Sequence, residues 1–120
     1  MIHPDETAAL SSAERAYIRR ELHGFFGTLP TAAEGFMLRT RRTGPEAGRP
    51  KLPPAASSLV ARGLMQVVEG RPWHRLIFTE AGLAALRAML ENARPPDRVT
   101  LAHVRRELGL DPGPAGGEEG

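Results

Sequence analysis

The chain has no cysteine, which excludes disulfide frameworks and thiolate metal sites. No apolar run approaches the roughly 18 residues that span a bilayer. The opening MIHPDETAAL has no basic stretch leading into an apolar one, so no secretory signal is expected and the expected location is cytoplasmic. Aromatic residues are scarce at 5%, with one Trp and one Tyr. Lysine is almost missing, Lys51 being the lone exception among the basic residues. The abundance of Ala, Gly and Pro beside Arg fits a GC-rich coding bias, so the preference for Arg over Lys carries no functional meaning. His3, His23, His74 and His103 are scattered, with no i, i+4 partner and no His-Glu-x-x-His pattern. A Gly-rich phosphate loop, a nucleophile elbow and a paired acid cluster are likewise missing. Enzymatic activity, a metal and a cofactor are therefore not expected.

What the chain does have is positive charge gathered in its middle. Residues 39–75 hold eight basic and two acidic side chains, a net of +6, whereas residues 1–38 and 76–120 each carry a net of −2. The densest part, RTRRTGPEAGRPK over residues 39–51, is too rich in Gly and Pro to be a helix. A nearly neutral chain with a cationic middle third points to a local anionic partner. At 120 residues and 41% hydrophobic content, one domain with a modest core is expected.

Helical signals come first. Ser11 and Glu14 have capping-box spacing, and Ile18, Leu22 and Phe25 follow as one apolar stripe. Thr31 and Glu34 repeat the box, with Phe36, Met37 and Thr40 at helical intervals, so a short second helix is expected up to about Arg41. LPPAASSLVARGL predicts a third helix with Leu52, Ala56, Leu59 and Val60 inward and Gly63 at its end. The period then becomes two: MQVVE and WHRLIF read as a β-hairpin closed by Gly70-Arg71-Pro72. Leu76 and Phe78 would share one face; Trp73, Arg75 and Ile77 would share the other. Thr79 caps a fourth helix carrying Leu83, Leu86 and Leu90. Pro95 and Pro96 break the chain before a last amphipathic helix with Leu101, Val104 and Leu108, and residues 111–120 read as a disordered tail.

The stretch SSLVARGLMQVVEGRPWHRLIFTEAGLAALRAML resembles the recognition helix, wing and following helix of winged helix-turn-helix proteins. It is similar to MarR-like and PadR-like bacterial regulators over about half the chain. The expected fold is mainly α with a small β-hairpin, in the order α-α-α-β-β-α plus a C-terminal helix. The expected domains are a winged-helix domain over 1–94, an amphipathic helix over 95–110 and the tail. The resemblance implies that Ser57, Ser58 and Arg62 face base edges and that Arg71, His74 and Arg75 line the wing. The outward side of that helix offers no Asn or Gln for adenine and only Arg62 for guanine, so base-specific readout should be poor.

About ten residues separate the second and third helices, more than the usual three or four. That insert places Arg39, Arg41, Arg42, Arg49 and Lys51 beside the recognition helix, for phosphate contact. Gly48-Arg49-Pro50-Lys51 also resembles the core of an AT-hook, which would enter a narrow minor groove. The expected function is DNA binding, as a bacterial transcriptional regulator on double-stranded DNA, with the last helix either folding back on its own domain or pairing with a second copy in a homodimer through terminal helices. The alternative is a protein-interaction or RNA-binding module on the same fold, for which Trp73 would supply a partner surface.

Overall fold

A computed structural model of the chain describes residues 9–23, 30–70 and 73–110. Ser11 starts helix α1 (Ser12–Leu22) with a reciprocal cap. The Glu14 N–H donates to Ser11 Oγ at 3.1 Å, and the Ser11 N–H donates to Glu14 Oε1 at 2.8 Å. One turn on, Tyr17, Ile18 and Leu22 are buried, each aliphatic side chain contributing about 1.5–3 kcal/mol by leaving water. Phe25, the third member of the expected stripe, lies outside the described residues.

The second helix expected from Thr31 does not form. Thr31 does act as a cap, its Oγ1 accepting from the Glu34 N–H at 3.0 Å, but it caps a single turn over residues 32–34. Gly35 ends that turn at φ +73°, and a Cβ there would lie 2.3 Å from the Leu76 carbonyl oxygen. Only glycine lets the backbone come so close while adopting that conformation. The chain leaves Gly35 as strand β1 (Phe36–Thr40), in which Phe36 and Leu38 are buried while Met37 and Arg39 are exposed. The period is two, and pairing with a distant strand overrides the helical spacing.

A loop leads to the short strand β2 (Pro50–Lys51), then to helix α2 (Pro54–Ala61), which opens on proline as expected. Gly63 follows its end: the Gly63 N–H donates to the Val60 carbonyl at 3.0 Å and the Leu64 N–H to the Leu59 carbonyl at 2.9 Å. This pair of bonds is the Schellman ending. Strands β3 (Met65–Val68) and β4 (His74–Phe78) form the expected hairpin; Arg71 and Pro72 at its turn lie outside the described residues. Helix α3 (Glu80–Glu91) starts at Thr79, whose Oγ1 accepts from the Gly82 N–H at 3.1 Å.

The four strands make one antiparallel sheet in the order β2-β1-β4-β3. Phe36 faces Leu76 and Leu38 faces His74 across β1 and β4; Val67 faces Leu76 across β3 and β4. The inner side of the sheet packs on the helices. Phe36 sits between Tyr17 and Phe78, edge-to-face with both at 5.6 and 5.5 Å between ring centres. Each such contact adds about 0.5–1.5 kcal/mol beyond burial, and together they tie α1, β1 and β4.

Pro95 and Pro96 begin a helix rather than only breaking the chain, since proline suits a first turn. The C-terminal segment forms α4 (Pro95–Thr100) and α5 (Ala102–Glu107). Leu101, between the two helices, and Val104 of α5 are fully buried in the same core, and His103 Nε2 lies 3.0 Å from the Leu22 carbonyl. Glu107 accepts from the Ala32 and Ala33 N–H groups at 2.7 and 3.0 Å. The apolar stripe is therefore used within one chain, the first of the two uses expected of it. With five helices and four strands among the described residues, the fold is mixed α/β. It is not mainly α with one hairpin, and the order is α-β-β-α-β-β-α-α-α.

Candidate nucleic-acid interface

The outer side of the sheet carries the charge. Because paired residues share a face, Arg39 of β1 stands beside Lys51 of β2, and Arg75 of β4 stands beside Met37 of β1 and Val68 of β3. Trp73 immediately precedes His74, the partner of Leu38, which puts it next to Arg39 on this same side. Met37, Val68 and Trp73 are three of the four exposed large hydrophobic residues among the described residues. A cleft of about 550 Å³ runs along the β2 edge, lined by Leu38, Arg39, Thr40, Arg41, Arg42, Thr43, Lys51 and Trp73. Four cations and the single Trp line it, and no acidic side chain does.

The loop between β1 and β2 is built rather than slack. The Arg41 N–H donates to the Arg49 carbonyl and the Gly48 N–H to the Arg41 carbonyl, both at 2.8 Å. Gly44 and Glu46 carbonyls accept from Ala47 and Arg49 at 3.1 and 3.0 Å. His74 fastens the loop from the inner side: the Gly70 N–H approaches Nδ1 at 3.4 Å, and Nε2 lies 3.0 Å from the Gly48 carbonyl. With Nδ1 accepting, Nε2 carries the proton and donates to Gly48. His74, expected to line the wing toward a partner, is instead buried and joins the two hairpins.

Of the other cations in the expected set, Arg49 is exposed and sits 3.7 Å from Glu46 in the same loop. Arg75 donates to the Glu34 carbonyl at 2.9 Å, which bridges β4 to the turn before β1. Arg39 lies within electrostatic reach of Glu21 on α1. Burial raises the Glu21 pKa above its ordinary value, while Arg20 and Arg39 pull it back. Among the described residues, no acidic side chain forms an ion pair with Arg41, Arg42 or Lys51. Arg71 lies outside the described residues.

Helix α2 departs from expectation. Ser57 is exposed, but Ser58 and Arg62 turn toward α1 and do not face outward together. Ser58 Oγ donates to Glu14 Oε2 at 2.5 Å, Arg62 Nη1 donates to Glu14 Oε1, and Arg62 Nη2 donates to the Ala9 carbonyl at 2.5 Å. Glu14 is only 1% exposed. Burial alone would raise its pKa, but the bonds from Ser58, the Ser11 N–H and Arg62, with the Arg62 charge, outweigh it and the net shift is downward. Two of the three residues expected to read base edges thus hold α2 onto α1. The AT-hook likeness also changes meaning, because Pro50 and Lys51 are paired with Thr40 and Arg39 as a strand.

A larger cleft, about 1050 Å³, lies between the start of α1, the Ala84–Ala88 side of α3 and residues 93–97. Two of its three arginines are engaged: Arg19 pairs with Asp97 at 3.0 Å and Arg15 donates to the Leu10 carbonyl at 2.5 Å. Its charge is mixed, so the sheet-side cleft is the stronger anion site. No group of potential metal ligands occurs among the described residues, and no helix there is long and apolar enough to cross a membrane. The period-two alternation of FMLRT would have located Arg39 on the sheet; nothing local in the sequence places Trp73 beside it. No family model, no curated protein and no solved structure matches this chain.

Proposed function

We propose that this protein binds DNA and acts as a transcriptional regulator, holding a double-stranded target mainly by its phosphates. The observation that carries the reading is the convergence of Arg39, Arg41, Arg42 and Lys51 on one cleft without an acidic neighbour in its wall. Guanidinium groups suit phosphate oxygens in charge and in planar donor geometry. A loop pinned by His74 holds part of that charge in place, which lowers the entropy lost on binding.

The fold fits a winged-helix variant. The β1-β4-β3 order, with α2 leading into the β3–β4 hairpin and α3 following it, supports that reading. In this variant the β1–β2 hairpin stands where a helix-turn-helix has its first helix. The outward side of α2 keeps Pro54, Ser57 and Ala61 exposed. These offer little to a base edge, so preference among sequences comes from groove shape.

The test is a titration of labelled duplex across about 50–200 mM salt, where four neutralised phosphates give a slope of log K against log salt near −3.6. Replacing Arg41 and Arg42 by Ala should reduce that slope by about 1.8 on every sequence alike. A slope shallower than about −1, or one unchanged in the double variant, overturns the reading. The exposed Met37 and Val68 favour a second reading, a protein-interaction surface on the same sheet face. Failure of DNA binding with retained capture of an acidic protein would select it.

A further inference from the structure

We propose that the sheet-side cleft takes an unpaired nucleobase on Trp73, so that DNA containing a single-stranded stretch is its preferred form. This rests on the DNA-binding reading above and names the state of the DNA. Phosphate contact alone does not account for the composition of the cleft. A duplex turns its base faces inward and offers phosphates, sugars and groove edges, none of which stacks on an indole face. The wall here nevertheless carries an indole that is 56% exposed, with Arg39, Arg41, Arg42 and Lys51 around it.

That combination matches the two surfaces of a single strand, whose base faces are free to stack and whose phosphates need cations. The geometry is compact. Arg39 and Lys51 stand on adjacent strands and Trp73 lies just before β4, on the other side of β1, a row about 10 Å across at the usual strand spacing. One nucleotide can lay its base on the ring while neighbouring phosphates meet Arg39 and Lys51. Arg41 and Arg42 continue the cationic path into the β1–β2 loop. Every base has a π-face, so binding of this kind tolerates any sequence. It therefore agrees with an α2 whose Ser58 and Arg62 are committed to Glu14.

Trp73 is the only Trp in the chain, so its own fluorescence reports the contact. The full-length protein is titrated with an oligothymidylate, with a duplex of equal length, and with inorganic polyphosphate as a pure polyanion. Saturable quenching by the oligothymidylate is expected, with little from polyphosphate even where it competes for the site. The single strand should bind at least about fivefold more tightly than the duplex, the lower end of what base–aromatic stacking supplies. Trp73→Ala should abolish that preference, weakening the single strand at least about fivefold more than the duplex, while Trp73→Phe should keep part of it. Thermal melting of both variants checks that they fold.

Equal affinity for the two forms in the parent protein, binding without quenching, or a Trp73→Ala variant that still prefers the single strand each overturns the inference. In those cases phosphate binding itself stands. If neither DNA form binds at low salt, both readings fall together.

Discussion

Removing the Glu14 carboxylate should uncouple α2 from α1. The side chain is 1% exposed and accepts from Ser58, from Arg62 and from the Ser11 N–H. In Glu14→Ala the Ser58 hydroxyl loses a bond to a charged acceptor, about 1.5–3 kcal/mol. Loss of the reciprocal cap adds about 1 kcal/mol. The Arg62 side chain is 32% exposed and rehydrates in part, so its share is discounted to well under the full cost of a broken buried pair. The total is about 3 kcal/mol, which for a domain of this size lowers the Tm by about 12 °C. Glu14→Gln keeps an acceptor for Ser58 and should lose only about half as much. Ser57→Ala, at an exposed position on the same helix, should change stability by less than about 0.5 kcal/mol. Urea and thermal melts followed by circular dichroism measure all three. The pH dependence carries a sign. The Glu14 pKa is lowered from its ordinary 4.5, so its stabilisation is present above that value and is lost as pH falls through the folded pKa. Glu14→Gln should flatten that acid limb. A Glu14→Ala Tm within about 2 °C of the parent, or a Ser57→Ala loss as large as that of Glu14→Ala, would refute the α1–α2 anchor.

Two further outcomes are expected from the fold. Gly82→Ala places a Cβ 1.7 Å from the Leu64 carbonyl oxygen, so α3 must move off the Gly63–Leu64 corner at about 3 kcal/mol or more; an unchanged urea midpoint would count against that packing. Burial first, then the Glu21 charge, push the Tyr17 hydroxyl up to about 12, against a smaller opposite pull from Arg20. The neutral phenol thus contributes stability that is complete below pH 10 and is lost as pH rises toward 12. As Tyr17 is the only Tyr, alkaline absorbance titration reads it directly, and ionisation near 10 in the folded protein would contradict its burial.

Much of this architecture was legible where the signal is local. The Ser11–Glu14 box, the Gly63 ending, the Thr79 cap and the period-two alternation of HRLIF each depend on neighbours within a few residues. FMLRT was misread because Thr31-x-x-Glu34 is a genuine cap for one turn, while its continuation is decided by Gly35 against Leu76, 41 positions downstream. The site shows the same division. Clustering of cations over residues 39–51 follows from the chain itself, and four of the five, all but Arg49, line one cleft. The fate of Ser58 and Arg62 was not legible, because it depends on a carboxylate 44 and 48 residues away that already had a local explanation as a cap. A buried charged residue draws long-range donors whatever its local duty.

Glu107 grips the Ala32 and Ala33 amides across 75 and 74 residues of chain. At about 5–20 residues per second, a ribosome needs about 4–15 s to bring that carboxylate out after the turn it secures. Through this interval the entrance to β1 lacks this second tie beside the Arg75–Glu34 bridge, and Leu101 and Val104 are not yet there to close the core. Final closure therefore waits on the most distal helix, and a nascent chain stalled near residue 94 exposes apolar surface that a holding chaperone would recognise.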